Sequence, residues 1–272
     1  MGEGSNVTLT VDGPLGIVRL ERPEKLNAFT FVMIQEIRAA VDRAAADPDV
    51  VAVVITGSGR AFSAGLDTTD LTRSAEGDSA GRSTPSADEN ELPALFSFLL
   101  RVGKPVIAAV NGVAAGGGLV LAMASDLRFA SDTASFTTAF SKRGLIAEHL
   151  TSWLLPRIVG SSRALDLLWS ARRFDADEAY RIGFVDRVVP AENLLDEVRS
   201  YVTELAAQVS PRSMAIMKEQ VYGDWARSVR EAALAGNEQV NASLDHPDAK
   251  EGVLSFLERR PPRFEPWTGG RP

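Results

Sequence analysis

The 272-residue sequence contains no cysteine and only two histidines, His149 and His246. Without thiols there is no disulfide, no thiolate zinc site and no cysteine nucleophile, and two histidines cannot build a histidine-rich metal cluster; no metal site is expected. Positive charge is in deficit, with 29 Lys and Arg against 36 Asp and Glu and a formal charge of −7. That balance argues against a nucleic-acid partner and confines any anion site to a small local pocket. The first residues, from Met1 to Asn6, carry neither a basic nor an apolar stretch, so no signal peptide is expected and the cytoplasm is the expected compartment. The one membrane-length apolar run, Val106 to Ala124, includes Asn111 and four glycines. It fits a buried strand, a glycine turn and a buried helix start better than a span, so no membrane partner is expected.

What is present is globular: 45% hydrophobic and 24% charged residues, on a chain long enough to bury about 70% of its unfolded surface. Val7 to Thr10 and Ile17 to Leu20 are β-prone runs around Asp12-Gly13-Pro14, as in a hairpin. From Thr30 to Ala46 the apolar residues Ile34, Ile37, Val41, Ala44 and Ala45 recur with helical spacing. Val50 to Thr56 and Pro105 to Val110 are continuous apolar runs without polar alternation, which predicts parallel strands covered on both faces. Leu127 to Ala130 and Phe184 to Val189 read as further strands, and Asp175 as the cap of a short helix. After Pro190 four helical patterns follow, Leu194 to Gln208, Ser213 to Tyr222, Trp225 to Leu244 and Pro247 to Leu257. The expected fold class is therefore α/β, with repeating β/α units followed by a helical region, and the expected division is residues 1–195 and 196–272. Asp70 to Asn90, rich in Ser, Gly and acids, is expected to be a surface loop, either an inert insertion or a lid.

Two glycine-flanked turns follow buried strands, Ala61-Phe62-Ser63-Ala64-Gly65-Leu66-Asp67 and Asn111 through Gly116-Gly117-Gly118. If they lie side by side, one N–H from each can point at a single oxygen, helped by the positive end of the following helix. Close helix–strand packing explains the same glycines equally well. Neither a P-loop nor a dinucleotide fingerprint has the required spacing here.

Together with Pro23 to Ala28, Lys104 to Gly112, Ser125-Asp126 and Leu155 to Gly160, these blocks resemble, in order and spacing, the enoyl-CoA hydratase/isomerase (crotonase) superfamily over residues 7–260. The resemblance implies a crotonase-like ββα spiral with a C-terminal α-helical oligomerisation region. It implies acyl-CoA substrates, no cofactor beyond the coenzyme A of the substrate itself, and a homotrimer or dimer of trimers. It places the oxyanion-holding amides at Ala64 and Gly117, and the nucleotide-contacting segment at Lys25, Leu26 and Ala28, with Arg60 a weaker basic contact. Ala61, Phe62, Gly65, Asp67, Gly116, Val120 and Phe140 are the remaining expected substrate-lining residues.

Typical hydratases of the superfamily carry two glutamates; the matching positions here hold Val120 and Phe140. The nearest carboxylate is Glu148, in the segment where several isomerase-like and dehalogenase-like relatives place a catalytic acid. Its neighbours Leu145, Ile146, Ala147 and Leu150 would raise its pKa toward neutrality. His149 is expected to point away from it, as a structural residue or one that supports the site from behind, His246 to lie at the surface, and Asp67 and Asp70 to be structural or loop residues. One carboxylate can move a proton between two carbons, which favours a double-bond shift from 3-enoyl to 2-enoyl; hydration stays open if another group supplies the second proton. A non-catalytic acyl-CoA-binding member, and dehalogenation or hydrolysis with Glu148 as nucleophile, are the alternatives.

Overall fold

A computed structural model describes residues 5–69, 72 and 92–268 of the chain; Asp70 and the expected lid lie outside all but one of these residues. Strands β1 (Val7–Asp12) and β2 (Leu15–Leu20) form the hairpin, and α1 (Phe31–Ala46) follows with the Thr30 hydroxyl accepting from the Met33 amide at its N-terminus. Two strand pairs then alternate between two sheets: β3 (Ala52–Gly57) with β4 (Ala61–Ser63), and β5 (Val106–Val110) with β6 (Val113–Ala115). Helix α2 (Gly117–Ala124) leads to a third pair, β7 (Leu127–Ser131) and β8 (Ser135–Thr137). Helices α3 (Thr151–Val159) and α4 (Ser161–Ser170), β9 (Phe174–Asp175), α5 (Ala176–Arg181) and β10 (Arg187–Val189) complete the body. One sheet has the order β1-β2-β3-β5-β7-β10, parallel apart from the β1 hairpin, and the other β4-β6-β8-β9.

The unbroken apolar runs are explained by a two-sided core. Along β3, Val53 and Ile55 face one hydrophobic cluster with α1 and α2, whereas Ala52 and Val54 face another with Leu194, Val198 and Val202 of α6 (Leu194–Gln208). Alternate residues of a strand point to opposite faces, so a strand covered on both sides needs apolar residues throughout. The run from Val106 to Ala124 is β5, β6 and the buried α2. No helix among the described residues is long and apolar enough to cross a membrane.

Helices α7 (Pro211–Asp224), α8 (Val229–Leu244) and α9 (Pro247–Glu258) form the C-terminal region. The expected single helix from Trp225 to Leu244 is shortened at its start, because Ser228 and Glu231 form a reciprocal cap that opens a new helix at Val229. The expected strand from Phe184 is likewise only Arg187–Val189. His246 is half-buried rather than at the surface, and its Nδ1 accepts from the Asp248 amide at the start of α9.

Helix α7 is tied to the body by a largely buried charge cluster. Asp126 accepts from the Val106 amide (2.7 Å), Lys218 Nζ (2.7 Å) and the Tyr222 hydroxyl (2.9 Å), and Lys218 also donates to the carbonyls of Leu99 and Lys104. Burial pushes the Lys218 pKa down while Asp126 pulls it back up. Removing one partner of a buried pair strands the other charge, so Lys218→Met should destabilise the protein by about 3–5 kcal/mol in denaturant titration. Unchanged stability would show that the cluster is dispensable.

Candidate active site

A cavity of about 340 Å³ opens where the loop after β2, the β4 turn, the N-terminus of α2 and the segment before α3 meet. Its wall brings together Lys25, Ala28, Ala64, Gly65, Asp67, Gly116, Gly117, Phe140 and Glu148 of the expected residues. Five others lie off the wall. Ala61, Phe62 and Val120 are buried in the core, since β4 is covered throughout and α2 is covered from Gly118 to Ala124. Leu26 adopts a left-handed backbone, and its carbonyl accepts from the Ala64 amide behind the wall. Arg60 is exposed and is not on the wall.

The amide placement corrects one expectation. The Ala64 N–H donates to the Leu26 carbonyl at 2.9 Å and is therefore occupied. Two residues on, a single parallel bridge pairs Leu66 with Phe29: the Phe29 amide donates to the Gly65 carbonyl and the Asp67 amide to the Phe29 carbonyl. Amides alternate in direction along an extended segment, so the Leu66 N–H faces away from that bridge, and it has no acceptor among the described residues. The Gly117 N–H, at the first position of α2, has none either, as expected of a helix's first turn. The two are neighbours: a Cβ projecting from Gly117 would lie 3.7 Å from the Leu66 nitrogen.

The triple glycine has divided duties. Gly116 has φ of +51°, which only glycine adopts freely, and turns the chain from β6 into α2. A Cβ on Gly118 would meet the Ser63 carbonyl oxygen at 2.2 Å, so this glycine lets α2 press against β4. Gly117 is left free to present its amide. Close packing and an open amide are thus both true, at different residues.

Glu148 has a half-exposed side chain, and burial raises its pKa above the ordinary glutamate value. Phe140 and Leu145 stand on the same wall, with Ala139 and Leu95, and supply that low-polarity setting. The other carboxylate on the wall, Asp67, accepts from the Thr69 amide (3.0 Å) and from Arg22 (3.2 Å), which hold it below its ordinary pKa. Asp67 is thereby charged and engaged, and Glu148 is the carboxylate on the wall open to proton transfer. His149, expected to point away, lines the cavity too, with Nε2 3.9 Å from Glu148 Oε2. Arg143 joins Lys25 as a cationic wall residue. Thr68, Leu95, Ala139 and Arg143 join the wall without a signal in the sequence, whereas Leu66 lies inside the quoted turn and Leu145 and His149 flank Glu148 in its segment.

Among the described residues no group of His, Asp and Glu is placed to hold a metal ion.

A sequence profile of the enoyl-CoA hydratase/isomerase family matches residues 12–266. The probable enoyl-CoA hydratase echA8 of Mycobacterium bovis is 36% identical over 253 residues, covering 93% of this chain and 95% of that protein. The probable mitochondrial enoyl-CoA hydratase of Dictyostelium discoideum is 35% identical over 93% of this chain and 88% of its own length. A crystal structure of an enoyl-CoA hydratase subunit from Geobacillus kaustophilus superposes with a TM-score of 0.85 at 34% identity, covering 97% of this chain and 99% of that one. A probable enoyl-CoA hydratase/isomerase from Mycobacterium abscessus superposes at 0.84 with 28% identity, over 96% and 98% of the two chains.

Proposed function

Because the chain belongs to the enoyl-CoA hydratase/isomerase family, we propose that its cavity holds an enoyl-CoA thioester with the thioester oxygen between the Leu66 and Gly117 amides and Glu148 as acid/base. The observation that carries this reading is the pair of adjacent amides with no acceptor among the described residues, beside a wall carboxylate, Glu148, that makes no hydrogen bond there. A thioester oxygen gains charge when its α-carbon loses a proton, so fixed donors favour the enolate over the ground state. Glu148 removes a proton from C2 of a 3-enoyl thioester, the electrons delocalise onto the oxygen, and the same carboxyl returns the proton at C4. The product is the conjugated 2-enoyl thioester, and the carboxylate is regenerated.

The missing second glutamate favours this shift; the names of the relatives favour a second reading, hydration of a 2-enoyl thioester. Lys25 and Arg143 would meet the anionic phosphates of coenzyme A, with Ala28 beside the adenine. Exposed Val229, Leu244, Phe256 and Leu257 on α8 and α9 would be covered in a homotrimer or dimer of trimers. Cytoplasmic residence in fatty-acid metabolism completes the proposal, and no cofactor is required.

Spectrophotometry with purified protein tests it. Offered 2-enoyl-CoA and 3-enoyl-CoA of several chain lengths, the protein should form or consume the conjugated thioester chromophore. Binding of both without turnover of either would overturn the catalytic reading in favour of an acyl-CoA-binding protein.

A further inference from the structure

Glu148 and His149 are consecutive, yet both reach the same cavity. The backbone explains this: His149 and Leu150 both have left-handed conformations, with φ of 51° and 66°, and turn the chain sharply before α3. Non-glycine residues held there store strain, which must be sustained by the surrounding structure. His149 is held from its far side, since the Leu95 amide donates to Nδ1 at 3.4 Å. A ring nitrogen that accepts carries no proton in the neutral ring, so the proton sits on Nε2, the atom that faces Glu148. No other polar side chain among the described residues partners the Glu148 carboxyl, and catalytic hydrogen bonds are often long before substrate tightens them.

Resting on the acid/base reading of Glu148, we propose that His149 is a positioning residue, a neutral Nε2–H donor clamped by the Leu95 amide that turns one carboxyl oxygen of Glu148 aside and leaves the other for the substrate. Burial lowers the His149 pKa, which keeps the ring neutral and its tautomer fixed at neutral pH. The other charged groups facing the cavity are Lys25, Arg143 and the Arg22-paired Asp67. A donor to the ionised carboxyl favours that form, so His149 offsets part of the burial effect on Glu148.

The test needs no substrate. Protein with ¹³C-labelled glutamate carboxyls is titrated by NMR, the Glu148 signal being identified by its loss in Glu148→Gln. In His149→Phe the Glu148 midpoint should move up by about one pH unit, while His149→Gln, whose amide can both accept from Leu95 and donate to Glu148, should stay close to the parent. On any thioester the parent turns over, His149→Phe should lower kcat by about 10- to 100-fold with little change in KM, and Gln should restore most of it. If Phe unfolds the loop, His149→Asn, too short to span the two partners, takes its place. A Glu148 midpoint unmoved in Phe or Asn, or a Gln variant that behaves like them, overturns the proposal. A parent inactive on every thioester would instead refute the acid/base reading, and the titration would still decide the His149 contact.

Discussion

Glu148→Gln should lower kcat by about 10²- to 10⁴-fold on whichever enoyl-CoA the protein turns over, with KM nearly unchanged. The amide matches the carboxyl in size, so the cavity and the Leu66 and Gly117 amides stay in place; only the basic oxygen is lost. In the parent, burial raises the Glu148 pKa above the ordinary glutamate value. The active base is the ionised form, so kcat should fall on the acid side at a higher pH than an ordinary glutamate would give, and the Gln variant should lose that limb. The same shift has a sign for stability. A carboxyl with a folded pKa above its unfolded one favours folding at low pH, and that contribution is lost as pH rises from the unfolded value through the folded one. At pH 8 the Gln variant should therefore melt no lower than the parent, a trade typical of catalytic carboxylates. Equal kcat in parent and variant would remove Glu148 from the reaction.

The strands and α1 were legible because their signals are local. Val50 to Thr56 announces burial on both faces by its composition, and Thr30 with the 3.6-residue apolar pattern announces α1. Helix α3 is harder to read from the sequence, because Pro156 inside it breaks a helical pattern. The start of α8 was readable in principle, since Ser228 and Glu231 have capping-box spacing. At the site, residue identity told which turns matter but not which amides are free. That depends on Leu66 pairing with Phe29, far back along the chain, and on Leu26 taking up the Ala64 amide. Placement of His149 beside Glu148 depends on two left-handed residues that no composition rule foretells. Long-range pairing and local strain were thus the unreadable parts.

Gly117→Pro tests the amide pair directly. Proline at the first position of a helix is well tolerated, because that N–H has no helical acceptor and φ near −65° suits the turn. The atoms nearest a Cβ at Gly117 are Phe29 Cδ2 at 3.5 Å, Gly65 Cα at 3.6 Å and the Leu66 nitrogen at 3.7 Å, ordinary contacts that leave the fold intact. The variant should therefore melt close to the parent and lose about 10²- to 10³-fold in kcat, the effect of one oxyanion donor, or about 2.7–4 kcal/mol of barrier. Gly117→Ala adds the Cβ but keeps the N–H, so it accounts for crowding by the Cβ and should retain most of the activity. If Pro keeps the parent's kcat, or Ala falls as far as Pro, the Gly117 amide is not the donor. Because amide and carboxylate act on the same enolate, combining Gly117→Pro with Glu148→Gln should cost less than the product of the single losses. A donor aimed at a charge that never develops contributes little.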